Sequence, residues 1–437
     1  MVTAYDTAGS LGADNGQTRG QNRSGRSPAS AQAAGEPEAR RGQTGSKARQ
    51  VRQQHDLVAA LRSAGKVPSA WAAAFAAVDR GAFVPDRMWC DDEHGRLRPV
   101  DRRTAPEQWA AAVYSDIPIA TQLDDGRVDW PDTSPLVTSS ASQPSVVLAM
   151  LDALDVHHGD TALEIGTGTG YNAALLAHRI GCEQVTTVEL DPALADQARS
   201  SLAKAGATPN VVHADGTGGY PEHAPYDRVI ATAAVLIGHV PYAWVAQTRH
   251  GGRIVTPAGT AFRNGELMAL TVHHGTATGR IVDDAAFMRL RDQRTPLGAA
   301  RLSTLVDESP ATTESVTAIS PGDLVFDDDC AFAVGLLLPD VQSSVWWDDE
   351  QPGRFEVLLF DVASDSAATA VAETSRHDDR YQVRQYGPRR LWDEAEAARA
   401  WWVGHGRPGR RRFGLTVTAE HQKVWLDDTT NTVGGPT

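Results

Sequence analysis

The sequence predicts an α/β protein, in which a doubly wound parallel sheet with helices before it is followed by a smaller α+β domain. Short apolar segments alternate with amphipathic helical segments between residues 161 and 257, an order typical of parallel sheets. After residue 294 the pattern changes to Leu- and Val-rich segments around one amphipathic helix. The chain has 437 residues, about three times the commonest domain length, which favours at least two cores.

The first fifty residues contain only four large apolar side chains and eight glycines. They cannot bury a core, so we expect residues 1–50 to be a disordered tail. From Val51 onward Leu57 and Leu61 share one helical face, and Trp71 and Phe75 repeat that spacing, which predicts two helices before the first sheet. We therefore expect one domain over residues 51–293 and a second, accessory domain for substrate recognition over residues 294–437.

Residues 99–144 are rich in polar and turn-forming residues, and we expect them to form loops near a site. The pattern then predicts strands at 161–165, 184–189, 210–213, 228–232 and 253–257, and helices at 171–179 and 192–205. In the second domain it predicts strands at 331–338, 355–360, 413–418 and 421–426, and a helix at 393–403.

Composition limits the function classes. A net charge of −14 gives no general attraction to phosphate backbones, so we expect no nucleic-acid partner. No run of eighteen apolar residues and no charged-then-apolar start are present, so we expect no membrane span, no secretory signal and a cytoplasmic location. Three widely spaced cysteines predict reduced thiols, and scattered histidines such as His213 and His239 predict no metal site.

A glycine-rich turn from Glu164 to Gly170 follows the first predicted strand and opens a helix at Tyr171. Glycines there let the backbone approach a ligand closely. A dinucleotide fingerprint would have glycine where Tyr171 stands, and Glu164 would repel a pyrophosphate. The acidic start instead suits a cofactor with an ammonium group and a sulfonium centre, which points to S-adenosylmethionine, with S-adenosylhomocysteine as product.

Two further carboxylates stand at strand ends. Glu189 ends the second strand, where a carboxylate can accept both ribose hydroxyls, and Asp215 with Gly216 ends the third, where an adenine would lie. The expected cofactor-binding residues are Glu164, Gly166, Thr167, Gly168, Gly170, Tyr171, Asn172, Glu189, Leu190, Asp215 and Gly216.

The chain resembles the protein-L-isoaspartate O-methyltransferases from about Leu57 to Leu290. The similarity rests on the glycine turn, the segment Ser142-Gln143-Pro144, residues 82–85, residues 251–257 and residues 287–290. It implies a class I, Rossmann-like methyltransferase fold that esterifies a carboxylate. It also implies that Ser142 is catalytic and that Ser139, Ser140, Gln143 and Thr232 bind substrate.

The length of the chain adds a finer expectation. Long chains of this kind resemble a divergent branch associated with ribosomally made, modified peptides: lanthipeptides, lasso peptides and graspetides. That resemblance implies methylation of an aspartate in a cyclised precursor peptide, with the ester collapsing to an aspartimide and possibly isoaspartate. The alternatives are general repair of isoaspartyl proteins, and a binding module that has lost catalysis.

Overall fold

The computed structural model describes residues 36–294, 306, 311–348, 350–374 and 380–434, with side chains from residue 49 onward. The first thirty-five residues of the expected disordered tail lie outside the described residues. Helix α1 begins at Glu36 and runs to Ser63, so it overlaps the last part of the tail expected over residues 1–50. Among the described residues, none of the helices combines the length and the apolar character needed to cross a bilayer.

A small antiparallel sheet follows the first helices. After α2, Ala72–Ala77, the sheet has the order β2-β1-β3-β4. Its strands are β1 Arg87–Asp91, β2 Leu97–Asp101, β3 Ile119–Leu123 and β4 Val137–Ala141, with helix α3 at Pro106–Val113. The prediction of loops over residues 99–144 is therefore wrong for much of that stretch. Its strands are five residues long and rich in polar residues, and they are stable through pairing that a local pattern does not reveal.

The central sheet confirms the predicted α/β class. Its strands are β5 Ala162–Ile165, β6 Val185–Glu189, β7 Asn210–His213, β8 Tyr226–Ala231, β9 Val235–Leu236, β10 Thr248–Gly259, β11 Asn264–His273 and β12 Thr276–Asp284. Its helices are α4 Pro144–Leu154, α5 Tyr171–Ile180, α6 Pro192–Lys204 and α7 Tyr242–Ala246. Strands β10, β8, β5, β6 and β7 are parallel neighbours in that order. Their carboxyl ends therefore lie along one edge of the sheet, where ligands of such folds bind.

Both faces of this sheet are buried. Successive residues such as Val229 and Ile230, or Ile254 and Val255, belong to two different hydrophobic clusters, because side chains alternate between the faces of a strand. One cluster includes α1, α2, α4 and α5. The other includes α7 and much of the chain after Arg294.

The chain after residue 294 forms a third sheet with helices. Its strands are β13 Thr313–Thr317, β14 Gln342–Trp347, β15 Arg354–Asp361, β16 Ser366–Glu373 and β17 Tyr381–Tyr386, in the order β13-β17-β16-β15-β14. Its helices are α8 Pro321–Val325, α9 Asp328–Leu337 and α10 Leu391–Gly404. The predicted strand at 331–338 is wrong, because residues 331–337 belong to α9. Residues 330–335 are all buried, so the segment shows neither the alternation of a strand nor the stripe of a surface helix.

The last two strands return to the central sheet. Strand β18, Phe413–Val417, pairs with β12, and β19, Gln422–Leu426, pairs with β18. One hydrophobic cluster contains Leu163 and Ile254 from the first part of the chain and Phe332 and Trp392 from the second. The two parts therefore share one core.

Candidate active site

Glu164 lies at the carboxyl end of β5 and is fully buried. Its Oε1 accepts a hydrogen bond from the Asn172 amide at 2.6 Å, and its Oε2 accepts one from the Thr187 hydroxyl at 2.5 Å. Burial raises the pKa of Glu164 to about 7, although these hydrogen bonds oppose the rise, and the nearby Glu189 charge adds to it. Burial therefore favours the neutral form of this carboxyl group, and its ionisation responds to any charge placed beside it.

The turn after Glu164 depends on glycine. Gly166 has φ +91°, and a Cβ there would lie 2.6 Å from the Thr232 hydroxyl oxygen. Thr232 in turn donates from Oγ1 to the Gly166 carbonyl oxygen at 2.5 Å. Gly170 has φ +88° and directly precedes α5. A side chain at Gly166 would be strained by the left-handed backbone conformation and would clash with Thr232. Glycine at this position therefore leaves the backbone of the turn accessible.

The acidic residues at the next two strand ends face the same edge of the sheet. Glu189 accepts from the Gly168 backbone N–H at 2.8 Å and from the Asp191 N–H at 3.1 Å. Asp215 Oδ1 accepts from the Thr217 N–H at 2.9 Å. Each carboxylate has about four acceptor positions, so each retains capacity for a ligand hydroxyl or amino group.

Strand β4 brings the predicted serines against the glycine turn. The Ser139 hydroxyl oxygen and the Ser140 carbonyl oxygen both lie 3.8 Å from the place of a Cβ on Gly168. The Thr121 hydroxyl of β3 donates to Ser139 Oγ at 3.1 Å. Gln122 of β3 donates from Nε2 to Asp191 Oδ2 at 2.8 Å, which fixes the small sheet over the end of β6.

The side chain of Arg80 binds the backbone at the end of this serine segment. The sequence patterns did not identify this arginine. It is fully buried and donates to five backbone carbonyl oxygens at 2.7–3.1 Å, those of Val113, Ser115, Ile117, Ala141 and Ser142. Burial lowers the pKa of the guanidinium to about 10, so it remains charged at neutral pH. A single arginine between two helices is part of no repeated spacing or motif, so no sequence pattern indicates its role.

A second group missed by the sequence patterns lies after β12. Arg291 and Arg294 both contact the Asp125 carboxylate at 2.9 Å. Asp125 follows β3 and has φ +53°, an unusual conformation for a residue other than glycine. The contact joins the segment of residues 288–294 to the loop between β3 and β4. More than 160 residues separate the partners in sequence, so no local motif could have shown it.

These elements enclose a cavity of about 430 Å³, within the usual size range of small-molecule sites. The predicted site residues on its wall are Ser139, Ser140, Ser142, Glu164, Gly166, Thr167, Gly168, Tyr171, Asn172, Glu189, Leu190, Asp215, Gly216 and Thr232. Two predicted residues are not on that wall. Gln143 donates to the Ser145 hydroxyl at the start of α4, and Gly170 packs against Leu202.

The cavity fits a ligand that combines a charged end with an aromatic base. The buried Glu164 and the glycine turn lie at one end of the cavity, and Asp215 and Gly216 lie at the other end. A Cβ on Gly216 would come within 2.5 Å of Ile165, so this wall is close to its packing limit. The Tyr171 hydroxyl is buried and has no hydrogen-bond partner among the described residues.

The comparisons with known proteins agree with this geometry. The family model of protein-L-isoaspartate(D-aspartate) O-methyltransferase matches residues 90–295. Protein-L-isoaspartate O-methyltransferase 2 of a Polaromonas species is 41% identical over 155 residues, which cover 35% of this chain and 72% of that protein. The protein-L-isoaspartate O-methyltransferase of Methanococcoides burtonii is 38% identical over 160 residues, covering 36% of this chain and 71% of that protein.

A solved protein-L-isoaspartate O-methyltransferase aligns with 86% of this chain and all of its own, with a TM-score of 0.47 and 22% identity. The family assignment rests on the two sequence relatives, because each is covered over more than two thirds of its length. The residues that the family model matches, 90–295, include the glycine turn, the serine segment and the strand-end carboxylates. The chain therefore belongs to the protein-L-isoaspartate(D-aspartate) O-methyltransferase family.

Proposed function

We propose that the protein is an S-adenosylmethionine-dependent carboxyl O-methyltransferase that acts on isoaspartyl residues of polypeptides. The observation that carries the proposal is the cavity that brings the glycine turn after β5 against the serines of β4. A ligand on the turn and a ligand on the serines would be neighbours there. The names of the related proteins support the same activity.

The residues of the turn and of the strand ends would hold the cofactor. S-adenosylmethionine, when bound, supplies an electrophilic methyl group on a sulfonium centre. We assign its amino-acid end to the backbone of Gly166, Thr167 and Gly168 beside Glu164, and its ribose to Glu189 next to Leu190. The adenine is assigned to Asp215 and Gly216. Gly170, Tyr171 and Asn172 would shape and orient this site, since Asn172 fixes the Glu164 carboxyl group.

A carboxylate substrate needs little chemical help beyond placement. Its ordinary pKa is about 4, so it is already ionised near neutral pH and needs no general base. We propose that Ser142, with Ser139, Ser140 and Thr232, orients one carboxylate oxygen and excludes water around it. Arg80 would fix the backbone of Ser142. Gln143 would act through the start of α4, since its side chain lies off the cavity wall.

Esterification then allows repair without further catalysis. The methyl ester has methoxide as a leaving group, and the backbone nitrogen of the following residue can displace it. This closes a five-membered succinimide, releases methanol and later opens with water to aspartate or isoaspartate. The protein would supply the activation step alone.

A second candidate substrate is an aspartate in a modified precursor peptide. The observation that favours it is the part of the chain after residue 294, whose described residues include a five-stranded sheet and helices α8, α9 and α10 in addition to the methyltransferase elements. The related proteins carry the name of the isoaspartate enzyme, so isoaspartate is the better supported acceptor.

The experiment compares a linear isoaspartyl peptide with its aspartyl twin, each incubated with the protein and S-adenosylmethionine and followed by mass spectrometry. We expect a methyl gain and then methanol loss on the isoaspartyl form alone. Ser142→Ala should reduce this rate, and Ser200→Ala, on the exposed face of α6, should leave it unchanged. Turnover of neither linear peptide, with cofactor binding intact, would reject the isoaspartate proposal in favour of the precursor peptide.

A further inference from the structure

Two exposed aromatic rings lie over a buried third ring in a cluster at one corner of the sheet formed by β13 to β17. Trp347 is 54% exposed and Phe326 is 49% exposed. Their ring centroids lie 5.9 Å apart with an interplanar angle of 21°. Phe355 packs below both, at 5.3 Å from Trp347 and 5.0 Å from Phe326. Large aromatic side chains are rarely left this exposed side by side unless another molecule covers them.

The cluster adjoins a free sheet edge. Strand β14 is the last strand of its sheet and pairs with β15 alone among the described strands. The first half of β14 is covered, because the Ser343 hydroxyl donates to the Phe262 carbonyl oxygen at 2.7 Å. The second half, Val345 to Trp347, ends at the aromatic cluster. Proteins usually protect such an edge with charge or proline, and Gln342–Trp347 contains neither.

Acidic residues flank the cluster in the chain. Asp327 and Asp348 follow Phe326 and Trp347 directly, and Glu350 lies in the turn after β14. Arg354 lies 3.9 Å from Asp348, so these four groups leave a surplus of negative charge.

We propose that this aromatic edge, defined by Phe326, Trp347, Phe355 and β14, binds an extended basic segment of the polypeptide substrate. A lysine or arginine would lie against the Trp347 ring within the acidic surroundings, where cation–π attraction and Coulomb attraction act together. An apolar side chain would cover Phe326, and the segment's backbone would pair with the open half of β14. The inference rests on the proposed function only in that the substrate is a polypeptide.

A second copy of this chain fits the same surface poorly. A twofold contact would place the surface against itself, so its acidic side chains would meet their own counterparts. Residues 51–437 carry 34 basic and 51 acidic residues, which makes repulsion between copies general. A basic polypeptide avoids both costs.

The test measures peptide binding to the full chain by fluorescence anisotropy. The probe is a labelled synthetic peptide that alternates lysine with valine and phenylalanine, and its counterpart has glutamate in place of every lysine. We expect the basic peptide to bind, its affinity to fall at least about tenfold in Trp347→Ala, and most of the affinity to persist in Trp347→Phe. Val403→Ala, which changes an exposed apolar side chain on α10, should bind as the parent does.

Equal binding of the glutamate peptide, or unchanged binding in Trp347→Ala, would overturn the proposal. A self-association in sedimentation that disappears in Trp347→Ala would also overturn it, because the surface would then join two copies. Thermal melting and S-adenosylhomocysteine binding of each variant exclude unfolding as the cause. Because the anisotropy measurement needs no methyl transfer, its result is independent of whether the proposed reaction occurs.

Discussion

Glu164 is a carboxyl group buried among a hydroxyl, an amide and a second acidic residue. Its pKa of about 7 in the folded protein exceeds the ordinary value of about 4.3 in an unfolded chain. Between these two values the folded protein retains a proton that the unfolded chain has released. Stability therefore falls as pH rises through this window, and the full cost is present above pH 7.

We expect Glu164→Gln to remove this pH dependence. Glutamine keeps the shape of the buried group without its ionisation, so the variant should gain stability relative to the parent by about 3 kcal/mol between pH 5 and pH 8. Urea unfolding across that range measures the difference. Parallel stability curves for the two proteins would show that Glu164 does not titrate in this window.

The same titration should appear in cofactor binding. An ionised Glu164 attracts an ammonium group, so affinity for S-adenosylhomocysteine should rise from pH 5.5 to 7.5, below the ordinary pKa of the ligand's α-amino group. Calorimetry on the parent and on Glu164→Gln measures this dependence. A variant with the same rise as the parent would place the responsible group elsewhere.

Arg80 should be a positioning residue for the serine segment. Lysine has three donors, so Arg80→Lys leaves at least two of the five carbonyl oxygens without one, at a cost of roughly 2–6 kcal/mol. We also expect a lower kcat with unchanged affinity for S-adenosylhomocysteine, because Arg80 holds Ser142 rather than the glycine turn. Urea unfolding and steady-state kinetics give both values. A change in stability within about 0.5 kcal/mol would mean that the arginine is dispensable.

At the residue scale, the sequence predicts those site residues that lie at or just after the end of a parallel strand. Glu164, Glu189 and Asp215 follow successive parallel strands, and the topology brings such positions together. Arg80 acts through backbone carbonyls of residues 113–117 and 141–142, and Arg291 and Arg294 act through Asp125. These contacts join residues that are far apart in the sequence, so local sequence patterns could not predict them.

At the scale of single elements, α9 depends on the residue that directly precedes it. Asp327 accepts from the backbone N–H groups of Asp329 and Cys330 at 3.1 and 3.2 Å, which is the role of a helix N-cap. We expect Asp327→Ala to reduce the free energy of unfolding by about 1 kcal/mol and Asp327→Asn to have little effect, since asparagine caps equally well. Equal losses in both variants would assign the effect to charge instead of capping.

The burial of this helix on all sides explains why its sequence predicts a strand despite the cap. The acidic triplet Asp327-Asp328-Asp329 is a helix-start signal, yet the apolar run after it is buried on all sides and favours a strand by composition. Amphipathic elements such as α6 and α10 were predicted within two residues of their bounds, because one solvated face preserves the helical period.

At the scale of the whole molecule, the parts before and after Arg294 fold together. Strands β18 and β19 complete the central sheet, and one hydrophobic cluster crosses the boundary. We expect a chain that ends at Arg294 to aggregate or to lose cooperative unfolding, because it exposes β12 and half of that cluster. Removal of residues 1–35 should leave the melting transition unchanged. A soluble 1–294 fragment that melts cooperatively and binds S-adenosylhomocysteine would contradict the shared core.

The central claim is that one cavity holds both reactants. The most direct measurement is a crystal structure of the protein with S-adenosylhomocysteine and an isoaspartyl peptide. We predict the ligand's amino-acid end on the turn from Gly166 to Gly168 and the isoaspartyl carboxylate beside Ser139 and Ser142, facing the sulfur. A peptide carboxylate bound away from these serines, or a cofactor product bound outside the glycine turn, would contradict the account.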